Sequence, residues 1–535
     1  MRSARFYGGW LLILVALPVI ASLSVLTLMP VDETRYAGVA LEMWQSGEWL
    51  VPVNNGEFYS HKPPLLFWLM QLGWWLTGVG ITWPRVMTAL FSLVSLGLTA
   101  QLARQLWPNR PGIAPLAAAI VAGSLLWCLW IPAIMFDGVL SCWVLVGMVG
   151  IASQIDRPGH TAGPVLLALA IGLGLLTKGP VIVLHLLPPA LLMPAVLSNR
   201  SVGWRECRSS VLALIGGIGL ALLWAIPAAL HGGPDYTRAI FWGQSAGRMV
   251  DSFAHAQPVW WYLAGLPLVL FPWSIWLPVW RAIPTLRRSG DQGTRLILAW
   301  LLPVFVSLSL ISGKQFHYLL PLLPAFGLLL ARILDQRQPR RSRADAVPVA
   351  LVLLTAAVLT GWASTHPDPR WPGWVADIPL WTPVGLVLLA GIALIPARWL
   401  IDRAMIQATV TALLLVVVAV GIARPALPWY DLTPAATVVA SAQRANRPVA
   451  HVGNYHNRLR FLGRLEQPVA VIGKSERTAW ACAHPDGLLI DYGNRSGDSP
   501  IPAVLEQPFR GRWLRIVRAG DLLTPDHGCV SDRSS

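Results

Sequence analysis

The stretch from Asp32 to Leu65, DETRYAGVALEMWQSGEWLVPVNNGEFYSHKPPL, crowds carboxylates, cations and aromatics together directly after the first long apolar run. Asp32, Glu33, Arg35 and Lys62 sit there beside what must be hydrocarbon, where ionisable groups are costly and ordinarily mark a working site. More such residues punctuate the apolar runs further on: Asp137 in IPAIMFDG, Lys178 in LLTKGP, Arg248 in QSAGRMVDSFAHAQP and Lys314 in SGKQFHYLLPLLP. Lysine and arginine suit phosphate, and a carboxylate can take a proton from an attacking hydroxyl, so this set fits a phosphate-linked substrate. Plainer roles exist for each. Asp137 would serve as a helix N-cap, Lys178 as a snorkelling lysine, and Glu33 as the structural partner of a nearby cation.

What positions these residues is a membrane bundle. Of 535 residues 55% are hydrophobic and only 13% charged, against about a quarter charged in soluble chains. Apolar spans of about 17–25 residues, the length needed to cross a bilayer, begin near Tyr7, Trp83, Gly112, Asp137, Gly163, Pro180, Ser210, Val259, Leu296, Phe316, Ala346, Pro379 and Ala404, thirteen in all. Pro63–Gly78 is also apolar, but it is short and opens on Lys62 and two prolines; it reads as an interfacial helix. The first 30 residues have signal-peptide character without a small-residue cleavage motif, which suggests an uncleaved anchor.

The net charge of +15 does not point to nucleic acid, because the basic residues lie in short loops between spans. With the N-terminus inside, Lys and Arg divide roughly nineteen to seven in favour of the cytoplasmic loops. The few outer cations, Arg35, Lys62, Lys178, Arg248 and Lys314 among them, then share one face with Asp32 and Asp137. Thirteen crossings leave the tail from Pro425 to Ser535 outside. There Pro448–Val452, Pro468–Ile472, Gly487–Tyr492 and Trp513–Val517 alternate like short strands after a helical Pro434–Ala445, predicting a small α/β domain. Cys482 and Cys529 could pair in it if the compartment oxidises thiols.

The run D-E-x-R-Y-A at Asp32–Ala37, then M-x-x-S-G-x-W, then G-x-x-Y-x-x-K-P-P ending at Pro64, resembles the first periplasmic loop of a superfamily of polytopic C-type glycosyltransferases. Its members include protein O-mannosyltransferases and lipid A 4-amino-4-deoxy-L-arabinose transferases. Asp137 at the head of a span, T-K-G-P at Thr177–Pro180, Gly247-Arg248 with His255 and Pro258 following, and K-x-x-x-Y-x-L-P-x-x-P from Lys314 to Pro324 appear in family order. Thirteen spans with an outer soluble domain match the aminoarabinose branch.

The resemblance implies an inverting transferase that takes a sugar, 4-amino-4-deoxy-L-arabinose or a hexose, from a polyprenyl-phosphate donor to lipid A, another envelope glycolipid or a protein. It would work at the periplasmic face of the inner membrane, among bilayer lipids and without nucleic acid. It implies Asp32 as catalytic carboxylate, assisted by Asp137, with Glu33 beside it. Arg35, Tyr36, Tyr59, Lys62, Lys178, Arg248, Lys314 and Tyr318 would bind substrate. No cofactor is required. Relatives often carry glutamate at the place of His61, where with a later histidine it can hold structural zinc; His61 and His255 are the corresponding pair here. A lipid or lipid-linked-sugar transporter is the alternative, although such proteins usually show internal repeats and broken midplane helices, and no repeat is visible.

Overall fold

The computed structural model describes residues 4–197, 200–243, 256–288, 290–337, 342, 344–494 and 501–523. It contains an α-helical membrane bundle followed by a small domain built on a five-stranded sheet. Among the described residues eight helices are long and apolar enough to cross a bilayer, which makes the chain a multi-pass membrane protein.

The first half of the chain frames the site through helices α1 (Ala4–Val25), α2 (Asp32–Ser46), α3 (Leu65–Thr77), α4 (Thr82–Leu106), α5 (Ile113–Ala122), α6 (Leu125–Trp130), α7 (Phe136–Asp156), α8 (Ala162–Lys178) and α9 (Val181–Leu191). Of the thirteen expected spans, those near Gly112, Gly163, Pro180, Val259 and Pro379 are carried by shorter helices, below the length that composition alone would count as a crossing. The third shows why. Helix α5 stops at Gly123, where a Cβ would come within 2.5 Å of the Ala408 side chain and 2.9 Å of Trp273. The chain then restarts as α6, with Leu125 N–H donating to the Phe271 carbonyl at 2.8 Å. Close packing between segments, invisible in a hydropathy profile, breaks the helix there. The long run Arg200–Arg238 is likewise interrupted at Gly233, whose φ is 78°.

Between α1 and α4 the chain does not cross. Helix α2 begins with Asp32 and Glu33, acids that suit the positive end of a helix, and stops at Gly47 in the left-handed region, φ 71°. A hairpin follows, β1 (Val53–Asn54) and β2 (Glu57–Phe58), with Val53 opposite Phe58. Its turn is Asn55-Gly56, φ 58° and 85°, the pair of positive φ values that a tight hairpin requires. Glu42 of α2 fixes the turn by accepting from Asn55 N–H at 2.7 Å and Gly56 N–H at 2.5 Å. Helix α3 is apolar and 13 residues long. Tyr36, Tyr59, Phe67, Trp74 and Phe136 share one buried cluster that binds this loop to the head of α7.

The second domain starts with the helix Thr433–Arg444. Its sheet comprises β3 (Val449–Val452), β4 (Ala470–Ile472), β5 (Leu488–Gly493), β6 (Ala503–Phe509) and β7 (Arg512–Arg518), in the order β4-β3-β5-β7-β6. Strands β4, β3 and β5 are parallel, while β7 pairs antiparallel with both β5 and β6. The four expected strands all appear; β6 is additional, a half-buried strand that contains Pro508 near its end. Cys482 is disulfide-bonded and Cys128, Cys142 and Cys207 are free, whereas Cys529 lies outside the described residues.

Candidate active site

Asp32 occupies the first turn of α2, one turn before Arg35, and the two form an ion pair. Tyr36 follows and packs edge-on to Phe136, ring centroids 4.9 Å apart, while the Arg35 guanidinium lies 5.4 Å from the Tyr36 ring centre. Burial opposes it, yet Tyr59, Tyr36 and the Asp32 carboxylate raise Arg35 above its usual value, so its charge is fixed. Burial in turn pushes the Tyr36 phenol well up, with Asp32 adding to it, and the phenol stays protonated. Beyond the hairpin, Tyr59 stacks on His61 at 5.3 Å, and Lys62 Nζ sits 5.5 Å over the Phe136 ring. Phe136 is thus the wall that α2 and the Lys62 segment share with α7.

Next to Phe136 in α7 stands Asp137, 2% exposed. Lys178, the last residue of α8, donates from Nζ to Asp137 Oδ1 at 2.5 Å and lies 4.5 Å from the Tyr318 ring centre. Gly179, φ 73°, stops α8 there and turns the chain into α9. His317 Nε2 is 3.9 Å from Asp137 Oδ2, and its ring stacks on Trp130 at 5.8 Å. Asp137, Lys178, Asp32 and Lys62 all act electrostatically on His317. The two halves therefore make one site, in which carboxylates and cations alternate around aromatic walls.

The expected residues do not all behave alike. Glu33 is buried and fully engaged: Oε1 accepts from Ile134 N–H at 2.8 Å, Oε2 from Met29 N–H at 2.8 Å, and Arg85 Nη2 lies 3.5 Å from Oε2. Arg85, 1% exposed, also donates to the carbonyls of Ser22, Leu26 and Thr27. That network ties α1, α2, α4 and the head of α7 together; it is architecture. Lys314 is close in sequence to His317 and Tyr318, but its Nζ donates to the carbonyls of Gln257 at 2.8 Å and Ile311 at 2.6 Å. Arg248 and His255 lie outside the described residues. Among the described residues no group of three His, Cys, Asp or Glu side chains is placed to hold a metal ion, and His255 of the expected pair is not among them.

Sequence reasoning read His317 as an ordinary interfacial histidine and passed over Phe136 and Arg85. A histidine three residues after a flagged lysine was the available hint for the first. An arginine just inside an apolar run was the hint for Arg85, and nothing marked Phe136.

The fold is that of the polytopic C-type glycosyltransferases. Residues 61–231 match the family described as dolichyl-phosphate-mannose-protein mannosyltransferase. Over 382 residues the chain is 31% identical to the undecaprenyl phosphate-alpha-4-amino-4-deoxy-L-arabinose arabinosyl transferase of Edwardsiella ictaluri (strain 93-146), covering 67% of each protein. It is 32% identical over 338 residues to a transferase of the same name, numbered 1, from Pseudomonas fluorescens (strain Pf0-1), and spans 60% of this chain and 58% of that relative. In structure it resembles ArnT from Cupriavidus metallidurans bound to undecaprenyl phosphate, with TM-score 0.75, 20% identity and coverage of 95% and 98%. The chain belongs to the undecaprenyl phosphate-aminoarabinose arabinosyl transferase family.

Proposed function

We propose that the chain transfers 4-amino-4-deoxy-L-arabinose from undecaprenyl phosphate to a phosphate group of lipid A, at the periplasmic face of the inner membrane. The observation that carries this reading is the convergence of Asp32–Arg35 and Lys62 with the Asp137–Lys178–His317 cluster around Phe136. These residues come from five separate segments yet meet on one face, the face that charge bookkeeping assigns to the outside.

The reaction is a single displacement. An acceptor oxygen attacks the anomeric carbon, the bond from that carbon to the donor phosphate breaks, and the phosphate leaves with the electron pair, inverting the centre. Negative charge grows on the leaving phosphate, so cations already in place favour the transition state over the ground state. Lys62 and Arg35, on the loop, are suited to that task. Lys178, held by Asp137, and Arg35, paired with Asp32, would meet the phosphate with their charge partly balanced.

Exposure separates the two carboxylates. The Asp32 side chain is 37% exposed and can meet an acceptor, whereas that of Asp137 is 2% exposed. Asp32 is therefore the residue to receive a proton from a hydroxyl, or to orient a phosphate that has none to give. Asp137 positions Lys178 and His317. Mass spectrometry of lipid A from cells with and without the chain tests this, and a mass difference of one aminoarabinose is expected. An unchanged lipid A profile with modified proteins or other glycolipids would move the acceptor; no modification anywhere would sink the reading.

A further inference from the structure

The soluble domain contacts α2 through a turn that follows β3. Strands β4, β3 and β5 are parallel, and β3, the first in the chain, lies between the other two. The connection from β3 leads to one side and the next one returns to the other, which makes the carboxyl ends of β3 and β5 a topological switch point. In open α/β sheets that crevice is where ligands bind. The segment leaving β3 there is Gly453-Asn454-Tyr455-His456-Asn457-Arg458, in which Gly453, His456 and Asn457 have φ of 75°, 53° and 56°. Non-glycine residues in the left-handed region are uncommon, and strained turns of this kind gather at binding sites.

The turn points at the membrane site. The Asn457 carbonyl sits 3.1 Å from where a Cβ on Gly38 of α2 would be, and Asn457 Nδ2 donates to Glu42 at 3.2 Å. Arg460 reaches Gln45 at 2.9 Å. Gly38, Glu42 and Gln45 continue the face of α2 that Arg35 begins. His456 is half-buried and lies within the electrostatic reach of Arg458, Arg35 and Asp32. Burial first, then those two guanidinium groups, hold its imidazole below the ordinary value, so the ring is a neutral hydrogen-bonding group. Arg458 donates from Nη1 to the Tyr492 hydroxyl at 3.1 Å and lies against the Tyr492 and Phe509 rings. Its Nε is buried without a hydrogen-bond partner among the described residues.

We propose that this switch-point turn, with His456 and Arg458, is a recognition subsite for the phosphorylated sugar headgroup of the acceptor glycolipid, which it presents to Asp32. A neutral imidazole suits sugar hydroxyls, and a guanidinium held in place by aromatic rings suits a phosphate. The soluble domain thereby selects the acceptor while the membrane bundle holds the donor. The identity of the ligand rests on the transferase reading given above.

Two conservative variants of the full-length protein, His456→Gln and Arg458→Lys, test the proposal with lipid A in detergent micelles as the acceptor probe and undecaprenyl phosphate as the donor-side probe. Lipid A binding is expected to weaken about tenfold in each, with undecaprenyl phosphate binding unchanged. A thermal midpoint equal to that of the parent shows which variants remain folded, and either one suffices. The subsite is overturned if lipid A binding in the folded variants stays within about twofold of the parent, if both probes weaken alike, or if the parent itself does not bind lipid A. A parent that binds lipid A through His456 and Arg458 but transfers no sugar would instead overturn the transferase reading and leave the subsite standing.

Discussion

Two carboxylates of the same site carry opposite predictions. Asp32→Asn keeps the shape of the side chain but removes the charge that a proton acceptor needs; turnover should fall by about 10²–10⁴ with little change in thermal stability. Single-turnover transfer assays paired with thermal unfolding would check both halves of that statement. Lys178→Met should behave differently. It leaves Asp137 charged, buried and without its nearest partner, a change that costs about 3–5 kcal/mol when a buried pair is broken. A loss of folded protein together with activity is therefore expected, and a variant as stable as the parent would show that Asp137 is held by other means. Glu33→Ala belongs with Lys178, because buried Glu33 satisfies two backbone N–H groups and the buried Arg85. A stable Glu33→Ala protein that had lost turnover alone would restore Glu33 to the catalytic set.

Contacts between elements decide how the soluble domain holds the site. Asn55 and Val469 exchange two hydrogen bonds, 2.9 Å each, and Trp74 stacks on Phe461 at 5.7 Å. Gly38 permits a close approach, since any side chain there would meet Asn457 and Arg460. Gly38→Val should loosen the domain from α2, an overpacking cost of about 1–3 kcal/mol, and hydrogen exchange over 453–465 should rise while the bundle is unaffected. Unchanged exchange would mean that the two surfaces are not pressed together.

Acid should weaken the same domain. His451, on β3, is almost fully buried; burial, chiefly, with Arg458 and His456 adding, lowers its pKa from 6.5 to about 4, against the Gly453 carbonyl and Asp491. Its folded value is below its unfolded one, so the stabilising contribution is complete above pH 6.5 and is lost as pH falls through about 4. Protease resistance of the segment 433–523, measured across that range, should decline, and His451→Gln should flatten the decline.

For the whole molecule the question is which way the bundle faces. Two sets of charged residues gather separately: the site cluster on one face and, elsewhere, Asp345 bound by Arg281 at 2.5 Å and Arg403 at 2.7 Å, with Asp291 paired to Arg332 at 3.1 Å. The positive-inside rule assigns the second set to the cytoplasm. A cysteine at exposed Ser475 should then react with an impermeant thiol reagent on intact spheroplasts, and one at exposed Arg398 only after permeabilisation. The reverse pattern would invert the molecule and remove the periplasmic reading.

Much of this protein can be read from the amino-acid order alone. Composition determines that the chain lives in a bilayer, because apolar runs of spanning length have no other solvent. Lysine and arginine counts give the expected orientation, and the D-E-x-R-Y-A and K-P-P blocks mark the loop to which the proposed function assigns the chemistry. Strand alternation also disclosed the tail domain, since a half-buried sheet imposes a period of two on its side chains. The tertiary structure alone decided which residues meet. Glu33 and Asp32 are neighbours in the chain, yet a helix turns successive side chains about 100° apart, so one faces Arg85 and the other the site. His317, Phe136 and the turn at His456 come from segments far apart in sequence, and no local signal says that packing will bring them to Asp32. Proximity across such distances is set by how helices and a sheet close against each other, a property of the assembled volume rather than of any stretch of sequence.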